Sequence, residues 1–257
     1  MKLGFCTDIA NIALLEKAGI DNLEMSVGAV AAWTDEQMKE NMKRLADSPV
    51  TLSSCNGLIS GFSLFEDSGF AKTDDYFARV LPRLAMAGIK TLVFGSGGYR
   101  RVPEGVSAQA AHDRVLEFLS RLSGLIKPYG FTIAIEPLNQ KECNILTTSA
   151  EAAGYVKELG LPNIRLLVDY YHFLLEHERL PAIDEYAGML VHTHIANPVG
   201  RVTPAPGDGV DYVGWYRALK KIGYDGLVVA ECGLLGSDLQ AEMKAFKTAM
   251  DLAKAEA

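Results

Sequence analysis

Residues 131–139, FTIAIEPLN, contain an apolar run rich in β-branched residues that ends in a glutamate and a proline. Such a run is typical of a buried strand, and residues 149–159, which follow it, show the apolar spacing of a helix. The same order of strand and polar ending recurs at 164–172, IRLLVDYYH, and at 190–197, LVHTHIAN. A repeated alternation of strand and helix predicts parallel strands with helices packed against them.

Eight units of this kind account for the whole chain. The predicted strands occupy residues 3–7, 22–26, 50–56, 91–95, 132–136, 165–169, 190–195 and 227–231. The predicted helices occupy residues 9–18, 35–46, 74–87, 108–127, 149–159, 182–186, 213–221 and 239–253. Eight units in 257 residues agree with the roughly 250 residues of a typical (β/α)₈ barrel. We therefore predict an α/β fold, a TIM barrel that forms a single domain from residue 1 to residue 257.

Glycines support these helix boundaries, because a left-handed residue after a helix turns the chain into the next strand. The five glycines that follow predicted helices are Gly19, Gly88, Gly130, Gly160 and Gly223. An open, doubly wound sheet shows the same alternation and remains the alternative architecture. The count of eight favours the barrel, and no GxGxxG motif follows the first strand. The glycine-rich segment GSGGYR, residues 95–100, is expected to be a plain loop or a wall of the pocket.

The bulk composition narrows the classes of partner. The formal charge is -7, which opposes electrostatic binding to nucleic acid or to an anionic membrane. No apolar stretch approaches the roughly 20 residues that span a bilayer. Cys6, Cys55, Cys143 and Cys232 are widely spaced and form no CxxC pair, and the chain shows no signal-peptide pattern. These features predict reduced thiols in a cytoplasmic protein.

Ionisable side chains close four consecutive predicted strands: Glu136, Asp169, His194 and Glu231. Each alone could be a helix cap, a salt-bridge partner or a solvated loop residue. In a barrel, however, neighbouring strand ends lie side by side, so the four side chains should converge, and three converging carboxylates repel one another. A divalent cation offsets that repulsion. An oxygen-rich set with one imidazole suits Mn²⁺, Mg²⁺, Co²⁺ or Fe²⁺ better than a structural zinc.

Two further histidines lie near these strand ends. His192 precedes His194 by two residues and shares its inward face, so we expect a buried supporting histidine rather than a metal ligand. His172 lies three residues beyond Asp169, past the strand end, where its position favours a substrate contact and an exposed loop histidine is the alternative.

The loops after the first four strands are expected to set specificity. Arg100 and Arg101 are predicted to be an exposed, solvated pair, and the alternative is that one of them receives a phosphate. The residues that could line the pocket are Cys6, Asn56, Phe62, Phe65, Tyr99 and Arg100.

Four motifs together resemble the xylose-isomerase-like TIM barrel superfamily along the whole chain: EPLNQKE (136–142), DYYH (169–172), HIANPVGR (194–201) and AE (230–231). The EPLN segment with a second glutamate at its end is similar to D-tagatose and D-psicose 3-epimerases. DYYH, followed by PVGR and PAPGDG, also resembles hydroxypyruvate isomerases. Those isomerases commonly carry glutamine on the seventh strand, and His194 in its place favours a metal-binding site.

This resemblance implies a sugar isomerase or epimerase that acts on a ketose or a related α-hydroxy-carbonyl compound by proton transfer through an enediolate. It implies a divalent ion, above all Mn²⁺, held by Glu136, Asp169, His194 and Glu231. Glu136 and Glu231 would form the acid/base pair. The resemblance assigns substrate oxygens to Glu142, His172 and Arg201, and it implies a homodimer or homotetramer.

Other functions remain open at this point. Relatives on this scaffold include metal-dependent lyases or dehydratases that act on keto-sugars or inososes, and hydroxypyruvate isomerase is a further alternative. A non-catalytic carbohydrate-binding barrel would bind its ligand without exchanging a substrate proton with solvent. A DNA-repair role like that of endonuclease IV is disfavoured. Its three-zinc cluster needs more histidines than the five present, and DNA binding needs a basic surface, whereas this chain has a net negative charge.

Overall fold

A closed barrel of eight parallel strands forms the centre of the computed structural model, which describes residues 1–59, 61–66 and 70–257. The strands are β1 (Lys2–Cys6), β2 (Asn22–Ser26), β3 (Thr51–Asn56), β4 (Thr91–Phe94), β5 (Thr132–Ile135), β6 (Ile164–Asp169), β7 (Leu190–Ile195) and β8 (Leu227–Ala230). Each strand pairs with the next one in the chain, and β8 pairs with β1. This closed order rules out the open doubly wound sheet and confirms the predicted barrel.

The connections in the described residues contain ten α-helices. They are α1 (Ile12–Ala18), α2 (Val27–Ala31), α3 (Asp35–Ala46), α4 (Ala71–Met86), α5 (Gly97–Arg100), α6 (Ala108–Ile126), α7 (Ser149–Leu159), α8 (Tyr170–Leu175), α9 (Tyr212–Lys221) and α10 (Leu239–Glu256). The predicted helix at 182–186 is a 3-10 helix, Leu180–Tyr186. The sequence analysis missed α2, α5 and α8, because helices of four to six residues are too short to show a helical period.

The glycines predicted to end helices do so. Their φ angles lie between 58° and 79°, in the left-handed region that residues other than glycine rarely adopt. The five residues are Gly19, Gly88, Gly130, Gly160 and Gly223.

Alternating residues of each strand divide the core into two layers. In β5, Ile133 and Ile135 join the large apolar cluster that includes the helices, whereas Ala134 packs in a small cluster with Val93 and Leu167. The residues of the small cluster therefore point into the barrel, since successive strand residues face opposite sides.

All four cysteines, two of them in this core, have free thiols, as expected. Among the described helices, none has both the length and the apolar character needed to cross a membrane.

Candidate metal and substrate site

The structure brings together the four residues predicted at consecutive strand ends. Asp169 ends β6, His194 lies in β7, and Glu136 and Glu231 directly follow β5 and β8. One ligand atom from each side chain lies within 4.8 Å of the other three. The first three side chains are buried, whereas that of Glu231 is 21% exposed. The group is therefore embedded in the barrel and open to solvent on the Glu231 side.

The His194 imidazole lies between carboxylates on both of its edges. Its Nδ1 is 2.8 Å from Glu136 Oε1 and 3.6 Å from Glu231 Oε2, and its Nε2 is 2.8 Å from Glu24 Oε1. Burial disfavours the charged ring, but the carboxylates of Glu24, Glu231 and Glu136 outweigh burial and raise the pKa of His194 well above its usual value. The ring presents Nδ1, and not Nε2, to the other members of the four-residue group.

The three carboxylates of the group have unequal surroundings. Burial, and then repulsion from Glu231, raises the pKa of Glu136, and burial and repulsion from Glu136 raise the pKa of Asp169. Burial also acts on Glu231, but His194 and Arg201 more than offset it and lower the pKa of that carboxyl. The positive charge of the surrounding side chains therefore does not fully offset the burial and mutual repulsion of the three carboxylates.

The donor set fits a divalent cation. Asp169 Oδ1 accepts a hydrogen bond from the Tyr171 backbone amide, but its Oδ2 is buried and has no hydrogen-bond partner among the described residues. A buried anionic oxygen without a partner is costly, and a cation among three carboxylates and one imidazole would remove that cost. Cys6, Glu24 and His194 form a second close group. There, however, hydrogen-bond donors from His192, His194 and Ser54 already engage the Glu24 carboxylate.

Glu136 occupies space that only a glycine leaves free. A Cβ atom at Gly95 would lie 2.1 Å from Glu136 Oε2, which is far inside van der Waals contact. The Glu136 backbone is held from the same side, because Arg100 Nη2 donates to its carbonyl oxygen at 2.7 Å. GSGGYR is thus neither a plain loop nor merely a pocket wall, since its last four residues form α5 and its first leaves room for Glu136.

The prediction of an exposed pair at Arg100 and Arg101 is half wrong. Arg100 is fully buried, and its Nη1 and Nη2 donate to the carbonyl oxygens of Phe94 and Glu136, both at 2.7 Å. These carbonyls lie where β4 and β5 end, and that of Phe94 also accepts from the Glu136 backbone amide at 3.2 Å. Arg101 is exposed as predicted, and it donates to the Glu142 carbonyl oxygen at 2.7 Å.

Arg201 connects the four-residue group to Glu142, another of the residues predicted to contact the substrate. Its Nη2 lies 2.7 Å from Glu231 Oε2 and 3.8 Å from Asp169 Oδ2, and its Nη1 lies 3.2 Å from Glu142 Oε2. The guanidinium carbon is also 4.8 Å from the centre of the Tyr171 ring. The backbone of Arg201 has a φ of 50°, a conformation that costs energy for a residue with a Cβ and is often found at functional sites.

His172 is buried, which excludes the alternative of an exposed loop histidine. The residue lies in α8, which begins immediately after Asp169 and turns the side chain back towards the strand ends. Its Nδ1 accepts a hydrogen bond from the Asn139 backbone amide at 3.1 Å, so the ring proton is on Nε2. Burial, assisted by Arg201, lowers the pKa of His172 to about 3. Its Nε2, 3.5 Å from Asp169 Oδ2, is therefore a neutral hydrogen-bond donor that has no partner among the described residues.

Asn139 connects the other predicted substrate residue to the same place. Its side-chain Nδ2 lies 2.9 Å from Glu142 Oε1 and 2.8 Å from His172 Nδ1. His172 and Arg201 therefore lie beside the four-residue group, and Glu142 is linked to them through Asn139 and Arg201. Their contact with substrate oxygens stays a prediction.

The other residues predicted to line the pocket lie in two separate regions, one at the four-residue group and one between the loops after β3 and β4. Asn56 is close to the site, because its Nδ2 donates to Glu231 Oε1 at 2.8 Å and also lies 3.6 Å from Cys6 Sγ. Phe62 and Tyr99 instead pack edge to face, 5.0 Å between ring centres, in a cavity of about 530 Å³ between the loops after β3 and β4. A separate cavity of about 940 Å³ is lined by residues from 102–112 and 144–158 on the outer side of the barrel.

Sequence reasoning missed Glu24. The residue lies in the middle of β2 between Leu23 and Met25, all three of them buried. The residue does not stand at the end of a strand, where barrel topology predicts functional side chains. A lone carboxylate inside an apolar strand is itself a signal, because its desolvation must be compensated by partners on other strands. The two imidazoles of His194 and His192 provide that compensation and lower the pKa of Glu24 well below its usual value, although burial opposes them.

Comparison with known proteins agrees with this architecture. A D-psicose 3-epimerase of Agrobacterium fabrum is 25% identical over 242 residues, which cover 89% of this chain and 82% of that protein. The 3-dehydro-D-guloside 4-epimerase of Escherichia coli K12 is 26% identical over 231 residues, or 87% and 86% of the two chains. A crystal structure of D-psicose 3-epimerase in the presence of D-fructose superposes with a TM-score of 0.87 at 21% identity, covering 99% of each chain.

The family profile described as "Xylose isomerase-like TIM barrel" matches residues 12–255. Both curated relatives are epimerases, so the prediction of an isomerase-class enzyme is confirmed. Since the profile covers nearly all of the barrel strands and every residue of the four-residue group, the chain belongs to the xylose isomerase-like TIM barrel family.

Proposed function

We propose that this protein is a metal-dependent sugar epimerase that inverts the carbon next to the carbonyl of a ketose, with Glu136 and Glu231 as its acid/base pair. One observation carries the proposal. The two glutamates approach the same His194 nitrogen from β5 and β8, and they share a buried group with Asp169 that has the donor set of a divalent-ion site. The epimerase relatives support the reaction class.

The residues that would hold the ion are Glu136, Asp169, His194 and Glu231. A bound divalent ion supplies a fixed positive charge that stabilises the negative charge developing on the substrate oxygens. Mn²⁺ is the ion we propose, with Mg²⁺, Co²⁺ or Fe²⁺ as other choices for an oxygen-rich set.

Proton transfer falls to the two glutamates. One carboxylate removes the proton from the carbon next to the carbonyl, and the other returns a proton to the opposite face of the planar enediolate, which inverts that carbon. Because epimerisation is reversible, each glutamate serves as base in one direction. If the proton returns to the neighbouring carbon instead, the same pair performs an aldose–ketose isomerisation.

The surrounding residues orient the substrate. His172 offers a neutral Nε2–H donor, and Arg201 offers charge-assisted hydrogen bonds to substrate oxygens. Glu142 accepts hydrogen bonds from hydroxyl groups, and it is itself held by Asn139 and Arg201. Fixing the substrate between the two carboxylates lowers the entropic part of the barrier.

The test is proton exchange with solvent. Metal-stripped protein and protein reloaded with Mn²⁺, freed of excess ion, are incubated in D₂O with a panel of ketoses and with hydroxypyruvate, and ¹H NMR follows the substrate carbons. We expect deuterium at C3 of at least one ketose, together with its C3 epimer, only in the reloaded sample. Exchange with an aldose product, or with hydroxypyruvate alone, would replace epimerisation by isomerisation, and an elimination product would indicate a lyase. Binding without exchange would favour the non-catalytic barrel.

A further inference from the structure

Glu24 lies beneath the four-residue group, on the other side of the His194 ring. Its Oε1 accepts from His194 Nε2 at 2.8 Å, and its Oε2 accepts from His192 Nε2 at 2.9 Å and from the Ser54 hydroxyl. Cys6 Sγ is a more distant neighbour, 3.7 Å from Oε1. Glu24 is fully buried, and donors from β3 and β7 hold its carboxylate in one orientation.

The two ring nitrogens of His194 face different carboxylates. Nδ1 faces Glu136 and Glu231, whereas Nε2 faces Glu24. A neutral imidazole binds a metal only through the nitrogen that carries no proton, and the hydrogen bond at the other nitrogen decides which one that is. A carboxylate accepts but does not donate, so Glu24 requires a proton on Nε2, and a divalent ion can replace only the proton on Nδ1, which makes Nδ1 the metal-binding atom.

Glu24 cannot itself act on a substrate from this position. The imidazole of His194 separates it from Glu136 and Glu231, and both of its oxygens are engaged by hydrogen-bond donors from other strands. His192 lies one layer deeper and anchors the far oxygen, so it holds the carboxylate in place without facing the four-residue group.

We infer that Glu24 is a positioning residue, which fixes the plane of the His194 ring and keeps its proton on Nε2 so that Nδ1 can bind the divalent ion. This inference rests on the proposed metal site but not on the identity of the sugar. It assigns a role to the interior of β2, outside the four ligand-type residues and the substrate contacts.

The informative variant is Glu24→Gln, which keeps the shape of the side chain. Oε2 of Glu24 meets two strong donors, from His192 and Ser54, whereas Oε1 meets one, from His194. The single carbonyl oxygen of glutamine should therefore take the Oε2 position and turn its NH₂ group towards His194 Nε2. That nitrogen must then accept, so the ring proton moves to Nδ1 and the metal loses its ligand atom.

Two readouts test this without measuring turnover. The first is the dissociation constant of Mn²⁺, from competition with a chelator, which should rise roughly 10- to 100-fold in Glu24→Gln. The second is long-range ¹H–¹⁵N NMR of the histidine rings in Zn²⁺-loaded protein. In the wild-type protein, we expect His194 Nε2 to be protonated and Nδ1 to be metal-bound. In Glu24→Gln at the same Zn²⁺ concentration, this combination of a protonated Nε2 and a metal-bound Nδ1 should be lost.

Ser54→Ala provides the matched control, because it removes a donor to Glu24 and leaves both histidine contacts. It should keep the Mn²⁺ affinity within about threefold and leave the His194 spectrum unchanged. Glu24→Gln with unchanged affinity and an unchanged His194 spectrum would overturn the inference. If that variant does not fold, the wild-type spectrum still decides, since a metal-bound Nε2 in His194 would equally refute the role of Glu24.

The wild-type measurements separate this inference from the proposed function. If the protein binds Mn²⁺ and Glu24→Gln weakens that binding as described, the role of Glu24 stands even when no sugar exchanges its proton. If wild-type protein binds none of the ions, both the metal site and the role of Glu24 fail together.

Discussion

The two halves of the barrel differ in what they give to the site. Strands β5 to β8 end in the four ligand-type residues, Glu136, Asp169, His194 and Glu231, and the loops after β5 and β7 carry Glu142 and Arg201. The first half, β1 to β4 with the loops that follow, contributes residues that support this group. Three of them donate or accept hydrogen bonds, and one leaves space for Glu136: Glu24, Asn56, Arg100 and Gly95, respectively. On the proposed function, we propose a division of labour in which the second half performs the chemistry and the first half sets its geometry.

The largest effects should come from the second half. We expect Glu136→Gln and Glu231→Gln each to lower kcat/KM by about 10²- to 10⁴-fold, since a positioned acid or base contributes roughly that factor. The measurement is the initial rate of epimerisation on the substrate found by proton exchange, at saturating Mn²⁺. Glu104→Gln, which changes an exposed glutamate away from the site, should match the wild-type rate. A rate above a tenth of wild type in either test variant would contradict the assignment of that glutamate.

Gly95→Ala tests whether the first half controls the position of a second-half residue. The added Cβ would overlap Glu136 Oε2 and must displace that carboxylate, so we expect a loss of roughly 10²-fold in kcat with a folded barrel. Circular dichroism and thermal melting establish that the fold is intact. Gly98→Ala is the matched control, because nothing lies within 4 Å of its added Cβ. Equal activity of the two variants would break the proposed division of labour.

Asn56 should have an intermediate effect. A hydrogen bond to a charged carboxylate is worth about 1.5 kcal/mol, so Asn56→Ala should reduce kcat/KM roughly tenfold by freeing Glu231 Oε1. Asn56→Asp should be worse, because it places a second negative charge against Glu231. Steady-state kinetics of the two variants side by side measure the difference. If the aspartate variant proved more active than the alanine variant, Asn56 would not be acting through Glu231.

Arg101 should have the smallest effect of this series. It is exposed, and its hydrogen bond reaches only the backbone oxygen of Glu142. Arg101→Ala should therefore change kcat/KM by less than about threefold and the free energy of unfolding by less than about 0.5 kcal/mol. Denaturant unfolding and steady-state kinetics measure both quantities. A large rise in KM would show instead that Arg101 contacts the substrate, for example through a phosphate.

The same division explains what the sequence could predict. Glu136, Asp169 and Glu231 stand out because each closes an apolar run, and barrel topology alone then places the strand ends together. Helices with several turns and the glycines that end them are equally visible, since both depend on local patterns.

The supporting residues are harder to predict because their roles depend on contacts between strands that are distant in sequence. The pairing of Glu24 with His194 joins β2 to β7, and nothing local to β2 indicates the partner. Arg100 resembles an exposed loop residue until α5 turns its side chain under the ends of β4 and β5. His172 likewise becomes buried because a short helix, invisible to periodicity, begins at the strand end.

Because β1 pairs with β8, the barrel and its metal-type site can be completed only late in synthesis of the chain. Asn56 and Glu231 are 175 residues apart in the chain, and Glu24 and His194 are 170 apart. A nascent chain that ends before β8 thus lacks both Glu231 and the strand that closes the barrel against β1. Contacts between such distant residues are expected to form late in folding. An ion held by this group would consequently gain its last ligand only when β8 has joined the barrel, and it would stabilise the four strands, β5 to β8, that supply its ligands.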